Sequence, residues 1–159
     1  MQVLIFKLNG VEYGILLKDV EFISENKNVV KMQNALEAVS GIVMLRGKAV
    51  PVYNLASRFG FMEQENRYLL VVKLDDIKIA LEVSMIDRVI WIEKEDVISL
   101  PAVVRATQMC FREALIYGEI LIGLLDIGGL VPQQDRRTLY LSVKKYAEEM
   151  SHVEGILYS

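Results

Sequence analysis

The chain repeats itself. Residues 6–23, FKLNGVEYGILLKDVEFI, align without a gap on residues 72–89, VKLDDIKIALEVSMIDRV, at an offset of 66 positions. Lys7-Leu8 falls on Lys73-Leu74 and the turn pair Asn9-Gly10 on Asp75-Asp76; Val11, Tyr13, Ile15 and Leu17 fall on Ile77, Ile79, Leu81 and Val83, and Val20 on Ile86. A second correspondence follows in the same order at an offset of 71: MLRGKAVPVY, residues 44–53, against LIYGEILIGL, residues 115–124, with Gly47 on Gly118. Repetition at a fixed period constrains a fold before any local reading does. Two ordered correspondences point to a duplicated unit, with repeat units about 3–60 and 68–131 inside 159 residues, roughly one domain's length.

The units are written in strand signals. Val3 to Leu8, Asn9-Gly10, then Val11 to Leu17 is a hairpin signature, because Asn-Gly suits the type I′ turn. Val11, Tyr13, Ile15 and Leu17 alternate at period two, which predicts one buried face. Further hairpins are expected from Gly41 to Asn54 around Arg46-Gly47-Lys48, from Tyr68 to Val83, and from Phe111 to Leu125, with Arg88 to Ile92 and Val97 to Leu100 between them. Short helices are predicted at Asn34 to Val39 and at Leu55 to Phe59, the latter stopped by Gly60. PQQDRR, residues 132–137, reads as a linker. Beyond it, Leu139, Val143, Tyr146 and Met150 recur at helical spacing, predicting a helix from a Thr138 cap to Met150 that packs on the body of the protein. The fold class is all-β: two small closed or nearly closed units of about five strands each, exchange of strands between them allowed, plus a C-terminal helix. Closure removes sheet edges.

Catalytic groups are scarce. The single His152 lies in a polar segment, and Cys110, among apolar neighbours, is expected to be a buried, inert thiol. No nucleophile–base set, phosphate-binding glycine loop or recurrent metal-ligand spacing is present. No catalytic residue, cofactor or metal is therefore expected. Eighteen basic against 21 acidic residues leave a net charge of −3, against nucleic-acid binding. The most apolar stretch, Ala114 to Val131, is broken by Glu119 and Asp126, against membrane insertion. The N-terminal MQVLIFKLNG has no basic n-region, and a cytoplasmic location is expected.

The stretch GIVMLRGKAVPVYNLASRFG, residues 41–60, resembles the signature of the CheW-like domain of bacterial chemotaxis adaptors through Gly41, Leu45, Arg46, Gly47, Val50, Pro51, Leu55, Arg58 and Gly60. Phe6, Leu8, Gly10, Tyr13, Gly14 and Ile15 meet the opening pattern of that family, and Leu121 to Asp126 the closing strand, so the resemblance covers about residues 3–131. It implies two five-stranded SH3-like barrels sharing a hydrophobic core. It also implies a non-catalytic scaffold that couples the cytoplasmic tip of methyl-accepting chemoreceptors to the regulatory domain of a histidine kinase. The alternative is a divergent CheW-like interaction domain in another signalling pathway.

The residues singled out on that resemblance are Arg46, Gly41, Gly47, Val20, Phe22, Ile86 and Val89. Arg46 is either a partner-facing guanidinium or a hairpin-tip arginine that pins its own turn. Gly41 and Gly47 carry family positions and also suit turn geometry. Val20, Ile86 and Val89 are receptor-coupling positions or ordinary core. Trp91 is expected in the core, with a partner anchor as the alternative. The sequence departs from the family where a Glu becomes Phe22, an exposed apolar residue if that face meets the kinase, and where carboxylates become Asn54 and Ser84 and a Pro becomes Leu36.

Overall fold

Strand β1 (Gln2–Leu8) turns through Asn9 and Gly10 into β2 (Val11–Leu16). Both turn residues have positive φ, +52° and +74°, as a type I′ hairpin demands. The structure, a computed structural model, describes residues 1–32, 38–60, 65–103 and 110–158. The helix expected from Asn34 falls largely on residues 33–37, outside the described ones, as does Leu36; Val39, its expected end, belongs to a strand.

After β2 a 3-10 turn at Leu17–Asp19 carries the chain into β3 (Val20–Glu25), which pairs with β6 (Tyr68–Leu74) of the other repeat. The same departure follows the second hairpin. β6 pairs with β7 (Ile77–Val83), the chain leaves at Ser84, and β8 (Met85–Trp91) pairs with β1. Strands β4 (Val39–Leu45) and β5 (Lys48–Asn54) form a hairpin that joins β7 in parallel. Its counterpart, β10 (Phe111–Tyr117) with β11 (Ile120–Leu125), joins β2 in parallel. With β9 (Val97–Ser99) on β10, the sheet orders are β3-β6-β7-β5-β4 and β8-β1-β2-β11-β10-β9. The repeats therefore do not each close on themselves. Each barrel takes its first hairpin from the other repeat.

The second sheet has six strands where five were expected. The extra one is the three-residue β9, reached from β8 through a 3-10 turn at Lys94–Asp96, so one bent stretch of chain bounds both ends of that sheet. The first barrel closes through Val30 and Ile42, whose amides donate to each other's carbonyls at 2.8 and 2.9 Å.

Exchange puts the two swapped hairpins back to back, buried on both faces. On β6, Leu69 and Val71 fill the first barrel while Leu70, Val72 and Leu74 enter a core between the barrels. On β1, Val3 and Ile5 fill the second barrel while Leu4, Phe6 and Leu8 face the shared core. That is why these strands are near-continuous apolar runs rather than alternating ones. Phe6, Tyr13, Phe59 and Phe111 stack within the shared region at centroid separations of 5.1 to 6.0 Å.

Helix α1 (Leu55–Arg58) is capped by Asn54, whose Oδ1 accepts from the Ser57 amide at 3.1 Å; Asp126 caps α2 (Ile127–Leu130) through the Gly128 amide. Asparagine caps as well as aspartate does, so the carboxylate missing at Asn54 costs this element nothing. Helix α3 runs Gln133–Tyr158. The expected linker at 132–137 is instead, from Gln133 onward, the start of the helix, which also runs beyond the expected end at Met150. Its polarity suits a solvent-facing helix start, with Asp135 at the positive end of the dipole. Arg136 holds it there, donating to the carbonyls of Val131 and Gly128 and pairing with Asp75 at 3.0 Å. Leu139 is buried in the shared core, and Val143 and Tyr146 are half-buried.

Candidate partner-binding site

The β4–β5 hairpin turns on Arg46 and Gly47, with φ of +51° and +76°. A two-residue type I′ turn requires both. Glycine adopts that region freely, whereas arginine pays about 1 kcal/mol for it. The Arg46 guanidinium carbon lies 3.8 Å from the centroid of the Phe22 ring, a cation–π stack worth about 0.5–1 kcal/mol at an exposed site. Phe22 is on β3 and Arg46 at the end of β4, the two ends of the first sheet's order, so the stack spans the seam of that barrel.

Phe22 is not the exposed residue that the loss of a family carboxylate suggested. It alternates inward on β3 and packs against the interior formed by Val43, Val50, Val52, Leu69, Val71 and Ala80. The exposed residue is Arg46 itself. Among the described residues no carboxylate pairs with it. Next to Phe22 on β3, Glu21 is engaged by Lys78 at 2.7 Å, and that hydrogen bond holds the Glu21 carboxyl below its ordinary range.

The two glycines have separate reasons. Gly47 needs its positive φ, and a Cβ there would meet nothing. Gly41 has an ordinary backbone, but a Cβ on it would come within 2.3 Å of the Val30 carbonyl oxygen. Gly41 therefore lets the chain after β3 close the barrel against β4.

Val20 and Ile86, equivalent positions of the two repeats, are both half-buried against the shared core. Val89 is 43% exposed and Trp91 74% exposed. Burial of Trp91 was the expectation, and the register shows why it fails. Ile90 and Ile92 face the interior of the second barrel, while Val89 opposes Leu4 and Trp91 opposes Gln2 on the other face. That face begins in the shared core at Leu4 and runs out of it at Trp91. Arg46, Gly41, Gly47, Val20 and Phe22 thus belong to the first barrel, and Ile86 and Val89 to the second.

One further surface was not singled out from sequence. Ile116, Tyr117, Ile120 and Leu121 at the β10–β11 tip are 42–58% exposed, with Arg88 over Tyr117 at 5.8 Å. Its signal was an apolar residue at both parities on each side of a tight turn, where a half-buried hairpin carries polar ones.

No cluster of three or more metal-ligating side chains occurs among the described residues. Cys110 is buried, and burial pushes its thiol pKa up, away from the reactive thiolate. No helix among the described residues is long and apolar enough to cross a membrane.

Residues 2–135 match the CheW-like domain family. The chain belongs to that family. Chemotaxis protein CheW of Treponema pallidum is 32% identical to this CheW-like chain over 146 residues, covering 87% of it and 86% of the relative. Chemotaxis protein CheW of Thermotoga maritima is 24% identical over 160 residues, covering 98% and 93%. The crystal structure of the scaffolding protein TtCheW from Thermoanaerobacter tengcongensis superposes on the CheW-like fold with a TM-score of 0.76 at 23% identity, over 82% of this chain and 87% of that one. The two barrels and shared core described above are therefore a known architecture for this family.

Proposed function

We propose that this chain is a non-catalytic adaptor of bacterial chemotaxis, working in the cytoplasm, that joins the tips of chemoreceptors to the regulatory domain of a histidine kinase. Membership of the CheW-like family and relatives named as chemotaxis proteins support the scaffold role. The geometry that carries the reading is Arg46: exposed at a tight hairpin tip, stacked on Phe22, and unpaired with any described carboxylate. Its planar donors suit carbonyls or a carboxylate on a partner. The kinase domain docks at that tip and along the first barrel's seam. The receptor tip, a helix bundle, lies along the apolar face of β8 that carries Ile86, Val89 and Trp91. Separate faces let both partners bind at once, which an adaptor needs.

Calorimetric titration with the cognate kinase regulatory domain tests this reading. Saturable binding near micromolar, about −8 kcal/mol, is expected for the native chain, weakened at least tenfold in Arg46→Ala and several-fold in Phe22→Leu. No binding by the folded native chain, or equal binding by all three proteins, overturns it. Trp91, the sole tryptophan, reports the second face: its emission shifts to the blue when a receptor-tip fragment is added.

A further inference from the structure

Helix α3 packs against β5. Between it and the β4–β5 hairpin runs an open groove of about 630 Å³. Tyr140, Lys144 and Met150 stand on the helix wall, Met44 and Lys48 on the hairpin wall, and Ile77 of β7 between them. Met44, Tyr140 and Met150 are 50%, 46% and 37% exposed. Apolar side chains that open to water over this length, with two thioethers among them, make an adaptable binding surface. From Tyr140 to Met150 the helix wall runs about 15 Å, nearly three turns of a helix laid alongside.

The charge of the groove selects its occupant. Each wall carries a lysine, and no carboxylate lines the groove among the described residues. Of the nearby carboxylates, Glu21 on β3 is engaged by Lys78 and Asp75 in the β6–β7 turn by Arg136, while Asp76 borders an adjoining hollow that also holds Arg136 and Arg137. The groove is thus apolar with cationic rims on a chain whose net charge is −3. We infer that it seats an amphipathic helix of a partner protein whose apolar stripe is flanked by carboxylates. Such a helix lays its stripe between the walls and sets its acids against Lys48 and Lys144. The inference does not rest on the adaptor reading: the helix wall lies beyond the family match at residues 2–135, while the hairpin wall, which reaches Gly47 next to Arg46, lies within it.

The test uses the full chain labelled at its methionine methyls and read by NMR. The probe is a synthetic alanine-rich helical peptide with leucines at helical spacing flanked by glutamates; a second peptide has lysines in place of the glutamates. The Met44 and Met150 signals shift saturably with the glutamate peptide, Met85 on the second barrel does not, and the lysine peptide binds at least tenfold more weakly. The double variant Lys48→Glu/Lys144→Glu, altered only at exposed side chains, reverses that order while its remaining methyl signals keep their native positions. Equal affinity for both peptides, shifts at Met85 alone, or no shift at all overturns the inference. So does movement of the Met44 and Met150 signals with protein concentration alone, which would make the occupant a second copy of this chain. Because kinase binding is read separately through Arg46, failure here and failure of the adaptor reading are distinguishable.

Discussion

At the tip of β4–β5 a guanidinium is held by an aromatic ring rather than by a carboxylate. An ion pair would compete with a partner's acceptors for the same N–H groups; a ring face orients the guanidinium and leaves those donors free. Phe22→Leu keeps an apolar side chain in the barrel and removes the ring. It is expected to cost about 1 kcal/mol of stability and to weaken kinase binding several-fold, read by denaturation and calorimetry together; full affinity in the leucine variant would mean that the stack positions nothing. Gly41→Ala makes the opposite kind of demand. Its Cβ meets backbone, the Val30 carbonyl at 2.3 Å, which cannot swing aside as a side chain would. The Val30–Ile42 bonds must open, at a cost of about 3 kcal/mol, and loss of protection at those amides in hydrogen exchange checks it. Sequence reached both residues through the family pattern but not these reasons. A close backbone approach leaves no trace in composition, and the rotation of Phe22 inward depends on a strand that sequence did not reveal.

That strand is β3. In VEFISE, Phe22 and Ser24 face inward opposite Val71 and Leu69, a bulge between Val20 and Phe22 turns Val20 to the shared core opposite Val72, and Glu21, Ile23 and Glu25 are exposed. Its inward set ends in a serine and its outward set contains an isoleucine, which blurs the contrast that marks a half-buried strand. Hairpins with turn pairs were legible because their turn chemistry is local; β3 pairs with β6, far along the chain, and nothing local announces it. The start of α3 failed for a related reason. Arg136 fixes the first turn through two carbonyls and Asp75, a tertiary arrangement written in a run of polar residues that reads as linker. Arg136→Ala removes all three contacts from a side chain that is mostly buried, so the helix should loosen from the β6–β7 tip by about 2 kcal/mol. Faster amide exchange in the first turns of α3, with the barrels unchanged, is the expected result; unchanged exchange there would show that Leu139 packing alone seats the helix.

Reciprocal exchange of hairpins decides how the whole molecule holds together. The repeat was plain in sequence, and so were its hairpins, because both are local patterns. Which barrel each hairpin joins was not, because the turns at Leu17–Asp19 and Ser84 redirect the chain through tertiary contacts such as the Ser84 amide donating to the Lys7 carbonyl. The consequence is energetic. Neither barrel has a sheet without strands from both repeats, and the swapped hairpins present their second faces to one shared core containing Phe6, Leu70, Leu81 and Cys110. A barrel that opened alone would strip its neighbour of two strands and expose that core. The molecule is therefore expected to open as one unit, as small cooperative domains do. Cys110 supplies the probe: it is 2% exposed, and burial keeps its thiol protonated, so a disulfide reagent reaches it only when the shared core opens. Its labelling should report the same free energy as amide exchange in β4–β5 of one barrel and β10–β11 of the other. Phe6→Ala should lower all three together by about 3–5 kcal/mol, although Phe6 lies in the second sheet. If that substitution left β4–β5 protected while β10–β11 and Cys110 opened, the barrels would be separate folding units and the shared core an interface between them.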